Sequence, residues 1–267
     1  MYLVVVSRED PASMNIRERL VEMVPWSEEE GMLRHGSFLI HEIEDMHLHH
    51  DNPEITLGHE IEAVIFASRH KSVSGLRSLT VHPMGNYAGA EFGGMPGTLV
   101  PSAPHLMTAA LRLLRIHASR LPYQVSFEVT HHGPYLRTPS FFIEIGSSEE
   151  YWGDPRAAGA IARTILGLEG AVDRDAPIAI GIGGGHYAPR HTELALSKRV
   201  AMGHMVPNYA LESEAERHVE MAKDCTPGAS VAYIHRKAVS RQQCRVLAAH
   251  AESLGLRVVS SRDLEEG

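Results

Sequence analysis

Gly181-Ile182-Gly183-Gly184-Gly185-His186-Tyr187-Ala188-Pro189-Arg190 is the stretch whose reading decides the fold. It follows Pro177-Ile178-Ala179-Ile180, an apolar run that reads as a buried strand. Three consecutive glycines cannot hold a helix and weaken a strand. They allow backbone torsions closed to other residues and let another group come close. His191-Thr192-Glu193-Leu194-Ala195-Leu196 then reads as the start of a helix. Strand, permissive loop and helix start form one unit of an α/β fold, and ligands of open α/β sheets gather at the carboxyl ends of strands. The loop also delivers a titratable base, a phenol and a fixed cation, next to helix N–H groups that suit an anion.

Working outward, β-branched or alternating runs predict strands at 2–7, 38–43, 62–68, 124–130, 139–145, 199–205, 231–235 and 256–259, with a short one from Leu79. Helical spacing appears at Ile16, Leu20 and Met23, over 103–121, from Asp154-Pro155 to Leu168, and over 213–223 and 240–254. The alternation is irregular, and the strands at 124–130 and 139–145 are close enough in sequence to be neighbours. This predicts one α/β domain over 1–267, a three-layer α/β/α arrangement with a mixed, mostly parallel sheet. A glycine-rich loop near 84–101 is expected to act as a crossover or lid.

A net charge of −8 argues against a generally basic nucleic-acid coat, so a polyanion would need a local patch. Candidates are Arg112, Arg115 and Arg120; Lys198 and Arg199; and Arg236, Lys237, Arg241 and Arg245. Two cysteines, Cys225 and Cys244, form no CxxC pair and fit a reducing cytoplasm. The opening Met1-Tyr2-Leu3-Val4-Val5-Val6-Ser7 lacks the basic region of a secretory leader, and no 18-residue apolar run suits a membrane span. A monomer or weak dimer is expected.

Eighteen histidines favour metal binding or proton transfer. Four expected strand ends carry them: His70, His82, the pair His131-His132, and His186. Repetition at equivalent places predicts one polar cleft. Zinc could draw on His131 or His132, Glu144, His186, His191 and Glu193, although no HExxH spacing selects among them. Without metal, a histidine could act as general base with loop N–H groups holding an oxyanion. No GxSxG elbow supports a serine hydrolase. The His/acid run 41–51 reads as a solvated loop.

His131-His132-Gly133-Pro134, Glu144-Ile145-Gly146-Ser147-Ser148 and Gly183-Gly184-Gly185-His186-Tyr187-Ala188-Pro189-Arg190 resemble the archaeal and plant-type D-aminoacyl-tRNA deacylases. Ala67-Ser68-Arg69-His70-Lys71-Ser72 and Leu79-Thr80-Val81-His82 through Gly85-Asn86 agree, in collinear order from Tyr2 to about Val259. Tyr135 departs from the pattern, where a small residue is expected. The resemblance implies a phosphorylase/peptidyl-tRNA-hydrolase-like α/β/α fold, zinc, and hydrolysis of the ester joining a D-amino acid to tRNA. The expected catalytic groups are His186, His132, His131 and Glu144. The expected substrate contacts are Ser68, His70, Lys71, His82, Asn86, Gly183, Gly184, Gly185, Tyr187 and Arg190, and the expected metal ligands are His131, Glu144, His186 and His191. His186 stands as general base or as ligand. Three alternatives remain: a zinc peptidase or amidase, which would act on a free ester without tRNA; a nucleoside phosphorylase-like enzyme, which would need phosphate; and a non-catalytic tRNA-binding module.

Overall fold

The computed structural model describes residues 1–54 and 58–267. The first part of the chain runs β1 (Tyr2–Ser7), α1 (Pro11–Met23), β2 (Ser27–Glu29), β3 (Met32–His35), β4 (Phe38–Ile43), β5 (Ala63–Arg69), β6 (Ser78–His82), β7 (Gly85–Asn86), β8 (Thr98–Leu99), α2 (Pro104–His117), β9 (Gln124–Phe127), β10 (Ser140–Gly146), α3 (Glu149–Trp152) and α4 (Pro155–Ala171). The rest runs β11 (Ile178–Ile182), α5 (Pro189–Ser197), β12 (Ala201–Val206), α6 (Ala215–Asp224), β13 (Ala229–Ile234), α7 (Arg241–Ser253) and β14 (Arg257–Val259). Helix starts follow local chemistry. Asp10 caps α1 by accepting from the N–H groups of Ala12 and Ser13, with Pro11 in the first turn, and Asp154 caps α4 by accepting from the N–H of Arg156, with Pro155 in the first turn.

The strands divide between two sheets. The larger has the order β2-β3-β4-β1-β5-β10-β6-β9 and the smaller β12-β11-β13-β14. β4, β1, β5 and β10 run parallel, as do β6 and β9, while β10 meets β6 antiparallel. The smaller sheet is parallel throughout. The α/β class with mixed, mostly parallel strands is therefore the observed one. The expectation that the strands near 124–130 and 139–145 pair is corrected: β6 lies between β10 and β9. β6 supplies hydrogen bonds to both, and short chain separation gave no information about it. The β2–β3 hairpin was not foreseen, because Ser27-Glu28-Glu29-Glu30-Gly31 is charged rather than β-rich. Its turn instead relies on Glu30 and Gly31, at φ 52° and 77°, the two positive torsions that match hairpin twist.

Alternation along four adjacent strands sets up the site. Ile65 and Ala67 of β5, Leu79 and Val81 of β6, Val125 and Phe127 of β9, and Phe141, Ile143 and Ile145 of β10 share one core with α1, α2 and α4. Their alternates point to the other face. That face is apolar over Phe66 and Phe142, packed under Met84, Val100 and Leu136 from loops, and polar over Ser68, Thr80, His82, Ser126 and Glu144, all buried. Helix α2 packs against the larger sheet and also against β12, so one core runs through both sheets. The glycine-rich stretch forms a hairpin on β7 and β8 rather than a simple crossover. Its tip packs on the 131–136 segment, where Gly133 N donates to Phe92 O and a Cβ on Gly133 would collide with the backbone of Gly93 and Gly94. Among the described residues, no helix is long and apolar enough to cross a membrane.

Arg112 is consumed by this packing. Its guanidinium donates to Ala195 O at 2.9 Å and Lys198 O at 2.5 Å, tying α2 to the end of α5. Arg112→Met should lower unfolding free energy by about 1–3 kcal/mol, the scale of lost hydrogen bonds to a charged group. Denaturant titration would measure it; an unchanged midpoint would show that the link is dispensable.

Candidate active site

Glu144 projects from the middle of β10 between β5 and β6. Ser68 of β5 donates its hydroxyl to Glu144 Oε1 at 2.7 Å, and His70 Nδ1 and His82 Nε2 lie 3.4 Å and 3.7 Å from Oε2. Glu128 follows β9 directly, its N–H donating to Val81 O. Its carboxylate faces His70 Nδ1 at 3.3 Å, His186 Nε2 at 3.2 Å and His131 Nε2 at 3.5 Å. Both carboxylates are essentially inaccessible to solvent. Isolated burial would keep them protonated; the surrounding rings overcome that and hold Glu128 low and Glu144 well below the usual range.

The histidines divide into two kinds. Burial opposes the charging of His70, but Glu144 and Glu128 outweigh it and raise its pKa to about 9, so His70 is a cation at neutral pH. His82 is likewise raised against burial by Glu144 and Glu128. Burial, reinforced by charge on His82, drives His131 well below the ordinary range and His132 to about 4, so both rings stay neutral. Three rings have Nδ1 on a backbone carbonyl: His82 on Pro83 O at 3.1 Å, His131 on Val129 O at 2.7 Å and His132 on Gly133 O at 2.7 Å. In a neutral ring such as His131 or His132, an Nδ1–H given to a carbonyl leaves the Nε2 lone pair for a ligand, and His82 joins them only on giving up its second proton. Ring nitrogens of His82, His131 and His132 lie within 4.8 Å of one another, as do ligand atoms of His70, Glu128 and His186 and of His82, Glu128 and Glu144. Oxygens of Glu128 and Glu144 and His82 Nε2 are buried with no hydrogen-bond partner. Orphaned polar atoms converging this way fit a divalent cation of the zinc type, which takes imidazole and carboxylate ligands.

The cleft beside these groups has a volume of about 490 Å³. His70, Lys71, His131, His132, Glu144 and His186 line it, and Met46, Leu48, Phe92 and Phe142 supply apolar wall. The β11–α5 loop brings His186 in from the smaller sheet, where Val129 N donates to His186 O and the ring stacks on His70 at 5.3 Å between centroids. Tyr187 follows, its hydroxyl 2.9 Å from Ser74 Oγ and 3.3 Å from His70 Nε2.

The structure thus brings together Ser68, His70, Lys71, His82, His131, His132, Glu144, His186 and Tyr187. Other expected members lie elsewhere. His191 is buried on α5 with Nε2 on Gly183 O at 2.6 Å, so it braces the loop from behind and does not join the ligand groups. Asn86 donates to Gly93 O and Met95 O and holds the hairpin. Arg190 pairs with Glu193 on the surface. Gly183 and Gly184, at φ 82° and 133°, give their N–H groups to Val206 O and Asn208 Oδ1. A Cβ on Gly184 would face the rings of His191 and His235, so these glycines shape the loop rather than cradle an oxyanion. Glu128 was missed. The available signal was the alternation Ser126, Glu128, Thr130 against Val125, Phe127, Val129, which marks a solvent face only when one face of the strand is exposed.

Fold and cleft define an α/β protein whose candidate active site is built on two buried carboxylates and a ring of histidines. The D-aminoacyl-tRNA deacylase family model matches residues 57–259, and the chain belongs to that family. It is 33% identical over 261 residues to the D-aminoacyl-tRNA deacylase of Thermoplasma acidophilum, covering 97% of this chain and all of that one. It is 36% identical to that of Methanococcoides burtonii, covering 98% of this chain but 57% of the longer relative. A crystal structure of a conserved protein of unknown function superposes with a TM-score of 0.91 at 34% identity, over 99% of this chain and 96% of the other.

Glu128→Gln should leave the fold intact but withdraw the charge that holds His70, His131 and His186. We expect turnover to fall at least about 10²-fold, the scale of lost acid–base catalysis, with an unchanged circular dichroism spectrum. Retained turnover in the folded variant would remove Glu128 from the centre of the site.

Proposed function

We propose that this cleft hydrolyses the ester bond between a D-amino acid and the terminal ribose of tRNA, freeing mischarged tRNA. The observation that carries the reading is the pair of buried carboxylates, Glu128 and Glu144, holding charged and neutral histidines side by side at an open cleft. Ester hydrolysis needs a base for water, a cation for the oxyanion and an acid for the departing ribose oxygen.

His186 suits the base. Its Nε2 lies 3.2 Å from Glu128 Oε2, so a proton held on that side leaves the Nδ1 lone pair to a water, and its side chain is 41% exposed, the most open of the groups around Glu128. Glu128 fixes the ring and stabilises the imidazolium that forms. His70, kept charged by both carboxylates, offers positive charge to the oxygen of the tetrahedral intermediate. Tyr187, hydrogen-bonded to His70 and Ser74, is placed to give a proton to the ribose oxygen as the C–O bond breaks. Zinc would be held by His82, His131 and His132, with Glu144 beside them. When bound there it supplies a Lewis acid that polarises an oxygen ligand and lowers the pKa of water. The apolar wall of Met46, Leu48 and Phe92 gives a surface against which enantiomers present their side chains differently.

Purified protein incubated with D- and L-aminoacyl-tRNA, with and without chelator, tests the reading. Release of the D-amino acid alone is expected, with loss after chelation and recovery on adding zinc; equal rates on both enantiomers would refute it. His186→Ala should cost roughly 10²–10⁴-fold in rate while zinc content holds. If zinc is lost together with activity, His186 is a ligand instead.

A further inference from the structure

In a chain of net charge −8, residues 226–251 contain Arg236, Lys237, Arg241 and Arg245 and no Asp or Glu. All four are exposed. Among the described residues none of them forms an ion pair, whereas other surface cations, such as Arg217 and Lys223, do. Asp263 feels the charge of Arg236, and its carboxylate is already hydrogen-bonded to the N–H and hydroxyl of Ser260.

The position of this charge follows from strand register. β13 lies beside β11 in parallel, with Ile234 opposite Ile182, and His235 N donates to Ile182 O at 2.8 Å. The two strands therefore leave the smaller sheet at one edge, roughly 5 Å apart. One strand leads into the loop of His186 and the other into Arg236 and Lys237. Ala238 N donates back to His235 O, so Arg236 and Lys237 form the tip of a tight turn, and Ala238 packs toward Gly183. Helix α7 begins just beyond, fixed by the reciprocal capping of Ser240 and Gln243, and Arg241 and Arg245 share one of its faces.

The other basic clusters considered from the sequence are excluded by use or by place. Arg112 is spent on backbone carbonyls, Lys198 pairs with Glu266, and Arg199 pairs with Asp173. Arg115 belongs to α2 and Arg120 follows it; α2 covers the sheet face opposite the cleft.

We propose that Arg236, Lys237, Arg241 and Arg245 form the surface that grips the phosphates of the tRNA acceptor end while its ester lies in the cleft. The proposal rests on the deacylase reading above and adds the surface through which the polyanion is held. Its recognition chemistry is that of four unpaired cations, which carry affinity and salt dependence and no base sequence.

The test compares two D-amino acid esters: full D-aminoacyl-tRNA, and the same amino acid esterified to adenosine, which carries no phosphate. The double variant Arg241→Glu/Arg245→Glu should lose about tenfold or more in kcat/KM on tRNA at low salt and keep its rate on the adenosine ester. Arg241→Gln/Arg245→Gln should flatten the plot of log kcat/KM against log salt by about 1.4–1.8, two phosphate contacts' worth. Arg115→Glu/Arg120→Glu should change neither. An unaltered salt slope, or an equal fall on both esters in a variant with a normal melting temperature, overturns the proposal. If the wild type cleaves neither ester, the deacylase reading fails by itself. The surface is then decided by direct tRNA binding, which four Gln substitutions should abolish and which they leave intact if the proposal is wrong.

Discussion

Two carboxylates share one small, dry volume. Glu128 and Glu144 reach His82 and each other within 4.8 Å, and neither is open to water. Burying a single ion costs several kcal/mol, and a second of the same sign nearby costs more. Only compensating positive charge makes the arrangement tolerable, so the surrounding ring of histidines is a condition of the fold at this point as well as a means of catalysis. The same demand explains why His70 carries its proton at neutral pH while His131 and His132 do not: the carboxylates can support some charged rings, and further ones repel each other.

The large-sheet face reflects the same constraint. Four adjacent strands each place apolar residues toward α1, α2 and α4 and polar ones toward the cleft. The polar side is not a solvent face. It is roofed by the 131–136 segment and the β7–β8 hairpin, and Gly133 lets these two backbones touch. The alternation that ordinarily separates inside from outside here separates hydrocarbon from chemistry.

That distinction bears on what the sequence made legible. Most strand and helix positions were readable because period and capping are local, the short β2–β3 and β7–β8 hairpins being the exceptions. The meeting of His70, His82, His131, His132 and His186 was readable because each follows or ends a strand. Sheet order was not, since the placement of β6 between β10 and β9 depends on hydrogen bonds between segments far apart in the chain. Glu128 was hidden because a charged residue alternating with Val and Phe has the pattern of an exposed strand face. His191 and Arg190 misled for the converse reason: proximity along the chain to His186 says nothing of direction, and a helix start turns successive side chains to opposite sides. Arg112, one member of an apparent basic cluster, proved to be a rivet between helices.

The site is also a seam. His70, His82 and Glu144 belong to the larger sheet, whereas His186 and Tyr187 arrive on a loop of the smaller one. What joins them at the cleft is a handful of contacts: His186 to Glu128, Tyr187 to His70, Val129 N to His186 O and Thr130 N to Met205 O. A ligand that engages both halves therefore acts as a stitch across the two sheets and tightens their docking by mass action. Conversely, a slight parting of the sheets is enough to draw His186 and Tyr187 away from Glu128 and His70. Catalytic competence is then a gauge of how well two halves of the molecule fit together, and substitutions along α2, far from any substrate, are felt in the cleft through that fit.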